Sequence, residues 1–354
     1  MKALILAGGK GTRLEPLTSS TPKHLIPIAN KPIIFYSIEQ ILESGIDDIG
    51  IVVSADGLSS IREAASRYFK GAKFTFIVQK EPLGLAHAVK TAQTFIGNSN
   101  FLLLLGDNLF QDRIKNMITQ FNQNSPDALI AIKAVADARA FGVAELNSNN
   151  QVKHVEEKPK KPKSNLALTG AYLFTPEIFE IISQLRPSGR GEYEITDAIQ
   201  RLIETGRVVD SMVLQGWWLD AGEKISLLEA NRVTLSEYIV RQIKGAVSSD
   251  SQVIGNVAIE EGARIEKSII VGPVSIARNC YIVDSVIGPY VSIGPETTIQ
   301  KSAIEYSIIL RGCRISGVRS LKKSIIGNAA EIIMPEPVDG NWNLFLGDNS
   351  VLKL

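Results

Sequence analysis

Lys2-Ala-Leu-Ile-Leu-Ala7 runs directly into Gly8-Gly-Lys-Gly-Thr-Arg13. Beyond Lys2 the first segment is apolar without alternation, the pattern of a strand buried on both faces. Three glycines in the next four positions let the backbone approach a bulky anion and turn its N–H groups toward it. A strand of this kind belongs in a parallel sheet covered by helices, and the following residues agree. A helix opened by proline and stopped by Gly45 is predicted over Pro32 to Ser44. Strands follow at Ile49 to Val53, Phe74 to Val78 and Phe101 to Leu105, with helices over Ser59 to Phe69 and Leu85 to Phe95. This alternation predicts an α/β fold with a mostly parallel sheet. Such sheets bind ligands beyond the carboxyl ends of their strands.

After about residue 245 the periodicity changes. Val253, Ile270, Ile287 and Ile304 each lie 17 residues after the last, as do Ile259, Ile276, Ile293 and Leu310, and Ile265, Ile282 and Ile299. Within a repeat the aliphatic positions are six, six and five apart, with turn formers such as Gly272-Pro273, Gly288-Pro289 and Gly294-Pro295 between them. No helix keeps one face at a spacing of six. Three short strands per coil, each pointing one aliphatic inward, explain the pattern. It resembles a left-handed parallel β-helix of hexapeptide-type repeats. Leu321 to Leu354 fits less well and is expected to hold one degraded coil and a capping tail. The domains are therefore expected at residues 1–240 and 241–354.

Composition excludes several classes. The 354 residues carry 38 basic and 37 acidic side chains, a net charge of +1, so nucleic acid is not an expected partner. The longest apolar runs fall far short of the roughly 20 residues that span a bilayer. Met1 to Ala7 has no signal-peptide form. Two cysteines, Cys280 and Cys313, make neither a disulfide framework nor a four-thiolate metal site. The cytoplasm is the expected location, with no membrane partner.

The glycine loop closes with no lysine-serine/threonine pair, so it is not a Walker motif. Leu14 stands where the dinucleotide fingerprint needs glycine. Arg13 and Lys23 flank the loop at a distance that lets both reach a triphosphate.

Leu6-Ala-Gly-Gly-Lys-Gly-Thr-Arg-Leu14 with Pro22-Lys-His-Leu-Ile-Pro27 resembles the signature of the nucleotide-sugar pyrophosphorylases. Gly84-Leu-Ala-His-Ala88, Gly106-Asp-Asn108, Phe141-Gly-Val143, Glu156-Glu-Lys-Pro159, Arg190-Gly-Glu192, Glu194-Ile-Thr-Asp197 and Gly216-Trp-Trp-Leu-Asp220 follow in the family's order, and Leu346-Gly-Asp348 closes the chain's matches. The resemblance implies a Rossmann-like nucleotidyltransferase domain ahead of the β-helix. It implies thymidylyl transfer from dTTP to glucose 1-phosphate, with Mg²⁺ as cofactor. By the same resemblance Leu6, Gly8, Gly9, Gly11, Thr12, Arg13, Gln79 and Gly84 bind the nucleotide, Gln79 and Gly84 at the pyrimidine edge. Asn108, Gly142, Glu157, Lys158, Tyr172 and Arg190 face the sugar phosphate. Arg13, Lys23 and Lys158 carry the catalysis, and Asp107 and Asp220 hold the metal.

Each assignment has a plainer counterpart. Asp107 and Asp220 could cap the turn or helix that follows. Lys158 could belong to the solvated run with Lys160, Lys161 and Lys163. Gly142 could be a turn glycine, and Tyr172 fits the core as well as it fits a sugar. His87 reads as an ordinary helix surface residue. Two positions depart from the family pattern: His24 stands where glutamine is common, which bears on nucleotide preference, and Ala221 where threonine is common. The reaction needs in-line positioning and charge neutralisation, not covalent chemistry from the protein. UTP or another triphosphate would use the same phosphate machinery. A β-helix acyltransferase would need a histidine base in the coils, yet His24, His87 and His154 all precede them. A silent subunit would be expected to lack a metal carboxylate or the loop arginine. The β-helix is expected to support a homo-oligomer.

Overall fold

The structure, a computed structural model, describes residues 1–149, 151–334 and 340–353. It divides into two compact units. Residues 1–10 and 33–219 build the first, and residues 11–32 and 220–354 the second.

Nine strands form the sheet of the first unit: β1 (Lys2–Ala7), β2 (Asp48–Val53), β3 (Lys73–Val78), β4 (Phe101–Leu105), β5 (Ala128–Ala134), β6 (Gly142–Leu146), β7 (Val152–Glu157), β8 (Leu166–Phe174) and β9 (Val209–Val213). Their order is β7-β6-β8-β4-β1-β2-β3, with β5 pairing β8 and β9. β1 is parallel to β2 and β4, and β2 to β3, as the apolar runs require. β8 is antiparallel to β4, β5 and β6, so the sheet is mixed. Its register shifts between Leu168 and Tyr172, around Gly170 at φ 82°, a bulge of the kind that re-aims side chains beside a site. Helices α1 (Ile33–Glu43), α2 (Leu58–Tyr68), α3 (Leu85–Thr91), α4 (Gln93–Ile96), α5 (Ile114–Asn124), α6 (Ile178–Gln184) and α7 (Ile195–Glu204) complete the unit. The single helix predicted over Leu85 to Phe95 is two helices meeting at Ala92. The core includes Leu4, Val52, Phe101, Leu103, Ile130 and Phe174.

In the second unit, helix α8 (Lys224–Tyr238) leads into a parallel β-helix whose strands form sheets of seven, seven and five. Val253, Ile270, Ile287, Ile304 and Leu321 stack in one inward column, and Ile265, Ile282, Ile299, Ile315 and Ile332 in another. The third column departs from the even spacing: Ile293 pairs with Ile309, not with Leu310. The turn between paired positions is one residue shorter there, since Ile287–Val291 is matched by Ile304–Ser307. Toward the end, Phe345–Leu346 and Val351–Lys353 continue two of the sheets in register.

Candidate active site

The carboxyl ends of the parallel strands carry the first group of candidate residues. Gln79 directly follows β3, and its backbone N–H donates to Val53 O at 2.9 Å. Its side-chain Nε2 donates to Gly84 O at 3.3 Å and lies 3.0 Å from His87 Nδ1 on α3. A carbonyl only accepts, so the amide nitrogen must face this side, and Nδ1 of His87 must be the unprotonated acceptor. Oε1 consequently lies toward Gly8, 3.1 Å from where a β-carbon on that glycine would stand. Gly84 has φ 101°, and a β-carbon there would fall 2.6 Å from Tyr193 O. Only glycine fits. Leu6 and Gly9 flank Gly8 on the same strand and loop; Leu6 is buried.

After β4, Asp107 is buried and its Oδ1 accepts from Asn108 Nδ2 at 3.1 Å. Asn108 Oδ1 accepts from Trp218 Nε1 at 2.7 Å, and the Trp218 ring meets Phe141 edge-on at 5.1 Å. This aromatic bridge connects the Gly106-Asp-Asn108 turn to Gly142, the next residue along from Phe141.

Gly142 and Glu157 are direct partners across the antiparallel pair β6–β7. Thr196 Oγ1 donates to Glu157 Oε2 at 3.1 Å. Lys158 takes a left-handed backbone, φ 45°, unusual for a residue with a side chain and doubly so before proline. Its N–H donates to Phe141 O at 3.0 Å, and its Nζ is 3.9 Å from Glu157 Oε1. Arg190 places Nε and Nη2 on Glu194 Oε1, at 3.1 and 2.7 Å, and the same Nη2 is 3.3 Å from Glu157 Oε1. Burial, then the negative charge of Glu194, pushes the Glu157 carboxyl up, against the pull of Lys158, Arg190 and Thr196. Asp197 is raised by the same two causes. Burial opposes the Arg190 charge, but the bond and charge of Glu194 together with the charges of Glu157 and Glu192 outweigh it, and the guanidinium is held more firmly protonated. Tyr172 is buried, stacked on Phe174 at 5.8 Å, and burial pushes its phenol up, with Glu157 adding to the effect. The ring is a core residue with the Glu157 carboxylate nearby.

The remaining candidates lie in the second unit. Gly11, Thr12, Arg13 and Lys23 occupy a loop of short 3-10 turns. Arg13 Nη1 bonds Glu223 Oε1 at 2.7 Å. Both side chains are well over half exposed, and an exposed pair contributes at most about 1 kcal/mol, so the guanidinium is readily released to a phosphate. Asp220 Oδ1 accepts from Gly222 N at 2.9 Å, which realises the turn-capping alternative at one of its two oxygens. His24 is buried. No cluster of three or more metal-ligating side chains exists among the described residues. One or two carboxylates plus substrate oxygens are a donor set that magnesium accepts.

Against known proteins, residues 2–237 match the family described as Nucleotidyl transferase. The chain belongs to that family. Residues 230–301 match the GlmU-like C-terminal hexapeptide family, in agreement with a left-handed β-helix. A glucose-1-phosphate thymidylyltransferase of Streptomyces griseus is 43% identical over 99% of this chain and 98% of its own. The low-salt glycan biosynthesis nucleotidyltransferase Agl11 of Haloferax volcanii is 40% identical over the full length of both. A solved Bacillus anthracis chain, assigned as a glucose-1-phosphate thymidylyltransferase and determined with sucrose, superposes with a TM-score of 0.62 at 38% identity, covering 66% of this chain and 94% of that one.

Four further residues bond the candidates and are not themselves among the site residues the sequence points to: His87, Glu194, Thr196 and Glu223. Glu194 and Thr196 lie within Glu194-Ile-Thr-Asp197, which is their signal in the sequence. His87 reads in the sequence as helix surface, whereas in the structure it is bonded to Gln79. Glu223 gave no signal, since its partner Arg13 is 210 residues away.

Proposed function

We propose that the chain transfers a thymidylyl group from dTTP to glucose 1-phosphate, giving dTDP-glucose and pyrophosphate. The observation that carries this is the likeness over almost the full length to a glucose-1-phosphate thymidylyltransferase, and the base is supported by the fixed amide of Gln79. Its oxygen is presented beside Gly8 while its nitrogen is occupied by His87 and Gly84. An acceptor so presented suits a base with an imide N–H, as in thymine and uracil, and not cytosine.

In this proposal a sugar-phosphate oxygen attacks the α-phosphorus in line, and pyrophosphate leaves. Arg13 and Lys23 neutralise the triphosphate, with Leu6, Gly8, Gly9, Gly11 and Thr12 lining its loop. Lys158 holds the sugar phosphate, Arg190 stands at the same end of the pocket, and Glu157 accepts from sugar hydroxyls. Gly142 and Asn108 line the sugar side. Asp107 and Asp220 would hold Mg²⁺, which supplies charge neutralisation and orientation at the phosphates when bound. No helix is long and apolar enough to cross a membrane among the described residues. Exposed aliphatic side chains on one sheet of the β-helix, Ile269 and Val286 as direct partners and Ile254 on the strand before them, support association of copies of the chain.

The test is pyrophosphate release with glucose 1-phosphate and Mg²⁺, run in parallel with dTTP, UTP, ATP and GTP. The highest rate with dTTP supports the full assignment. A higher rate with another triphosphate keeps the reaction and overturns the base. No release with any triphosphate, across several sugar phosphates, overturns both.

A further inference from the structure

Residues 11–32 carry Arg13 and Lys23, yet they hold almost no regular structure of their own. They contain three isolated 3-10 turns and a two-residue ladder pairing Pro27 with Pro32 and Ile28 with Lys31. A segment this irregular takes its shape from what it touches, and it forms one compact unit with the β-helix.

The contacts fall at two places. At the far end, Ala29 N donates to Asn231 Oδ1 at 2.9 Å, and the same oxygen accepts from Ser292 Oγ at 2.9 Å. Asn30 Nδ2 donates to Ser275 Oγ at 2.9 Å and to Ile293 O at 3.0 Å, inside the second and third coils. At the near end, Ser20 Oγ donates to Asp348 Oδ2. Asp348 Oδ1 in turn accepts from Asn328 N at 2.6 Å, which fixes the carboxylate to the coil beneath. Gly347 lies so close to Pro16 that a β-carbon would stand 2.9 Å from Pro16 Cβ. Thr18, between Pro16 and Ser20, donates through Oγ1 to Gly11 O at 2.9 Å, and Gly11 lies against the stem of Lys23. The last coil is thus connected, through Ser20 and Thr18, to the backbone that sets Arg13 and Lys23.

We propose that the last coil of the β-helix is a working part of the transferase site, with Asp348 a positioning residue that holds the triphosphate-binding loop through Ser20. The proposal rests on the transferase function above for the roles of Arg13 and Lys23. Asp348 lies far outside residues 2–237, which match the nucleotidyl transferase family, so that match assigns it no role.

Full-length Asp348→Ala and Ser20→Ala are compared with the parent chain by steady-state kinetics and by hydrogen exchange of the backbone amides. Each variant is expected to raise KM for dTTP about tenfold, the scale of one lost hydrogen bond to a charged group, with KM for glucose 1-phosphate changed less than about twofold. The double variant is expected to be no worse than either single one, since both remove the same contact. Asp348→Asn, which keeps an acceptor, is expected to restore most of the loss. Exchange is expected to quicken at residues 11–23 and to stay unchanged in coils 253–333. Unchanged triphosphate KM together with unchanged loop exchange would overturn the proposal. So would an equal rise in both KM values with a lowered Tm, the mark of general destabilisation. If the parent chain released pyrophosphate with no triphosphate, the function would fall, and loop exchange alone would then decide this inference.

Discussion

His87 Nδ1 lies 3.0 Å from Gln79 Nε2, so a histidine on α3 sets which end of the glutamine after β3 is turned toward Gly8. Gln79 is otherwise an ambidextrous group, able to rotate by half a turn and present a donor instead. With His87→Ala, the carbonyl of Gly84 is left as the only group in the pair holding the orientation, and at a longer 3.3 Å. The ratio of kcat/KM for dTTP over dCTP is expected to fall about tenfold, roughly 1.4 kcal/mol, while kcat with dTTP changes little. An unaltered ratio would show that the base is selected elsewhere.

Glu157 gives a pH signature. Burial and Glu194 raise its folded carboxyl above the ordinary 4.5, so between 4.5 and the folded value the native state holds a proton that the unfolded chain has lost. Its contribution to stability is therefore fully present below 4.5 and is lost as pH rises through the folded value. Function runs the opposite way, because an ionised acceptor is needed for sugar hydroxyls. KM for glucose 1-phosphate is expected to climb on acidification from a pH above the ordinary carboxylate range. Thr196→Val, which removes a hydrogen bond that favours the ionised form, should move that limb to still higher pH.

The same electrostatics separate stability from activity at neutral pH. Glu157→Gln removes a charge that its surroundings disfavour, so Tm is expected to stay level or rise, while KM for the sugar phosphate increases by about tenfold or more. A clear fall in Tm would mean that Arg190 and Lys158 stabilise the carboxylate more than burial and Glu194 oppose it.

Asp107→Asn and Asp220→Asn are each expected to lower kcat by at least about a hundredfold. The fold should survive, because an amide oxygen can still accept from Asn108 Nδ2 and from Gly222 N. Circular dichroism and Tm check the fold, and pyrophosphate release checks the rate. Near-normal turnover in both would remove the metal assignment.

Gly84→Ala meets two obstacles at once, a backbone at φ 101° and the Tyr193 carbonyl at 2.6 Å. Destabilisation of at least about 2 kcal/mol is expected, seen as a lower urea midpoint.

Most of the architecture could be read from spacing, because a buried strand and a β-helix coil each impose a strict period on aliphatic residues. The columns led by Val253 and Ile265 hold in the structure for that reason. The slip at Ile309 was hidden because Ile308, Ile309 and Leu310 are all aliphatic, so any of them could fill an inward position. The helix break at Ala92 carries no glycine or proline to announce it. Around the site, glycines, acids and bases stood out in motifs, whereas pairings such as Gln79 with His87, or Arg13 with Glu223, depend on where elements end in space. Residue type alone does not encode them.

The hold of Asp348 on Ser20 also has a consequence for synthesis. The two residues are made at opposite ends of translation, more than three hundred codons apart. At about 5–20 residues per second, domains fold as they emerge, N-terminal ones first. The sheet unit closes once β9 has appeared, but the loop of residues 11–32 waits roughly 15 to 60 seconds from its own synthesis for the final coil. A nascent chain, or one cut before Phe345, would therefore display a folded sheet with a slack phosphate loop. It would bind triphosphate more weakly until the last coil had closed.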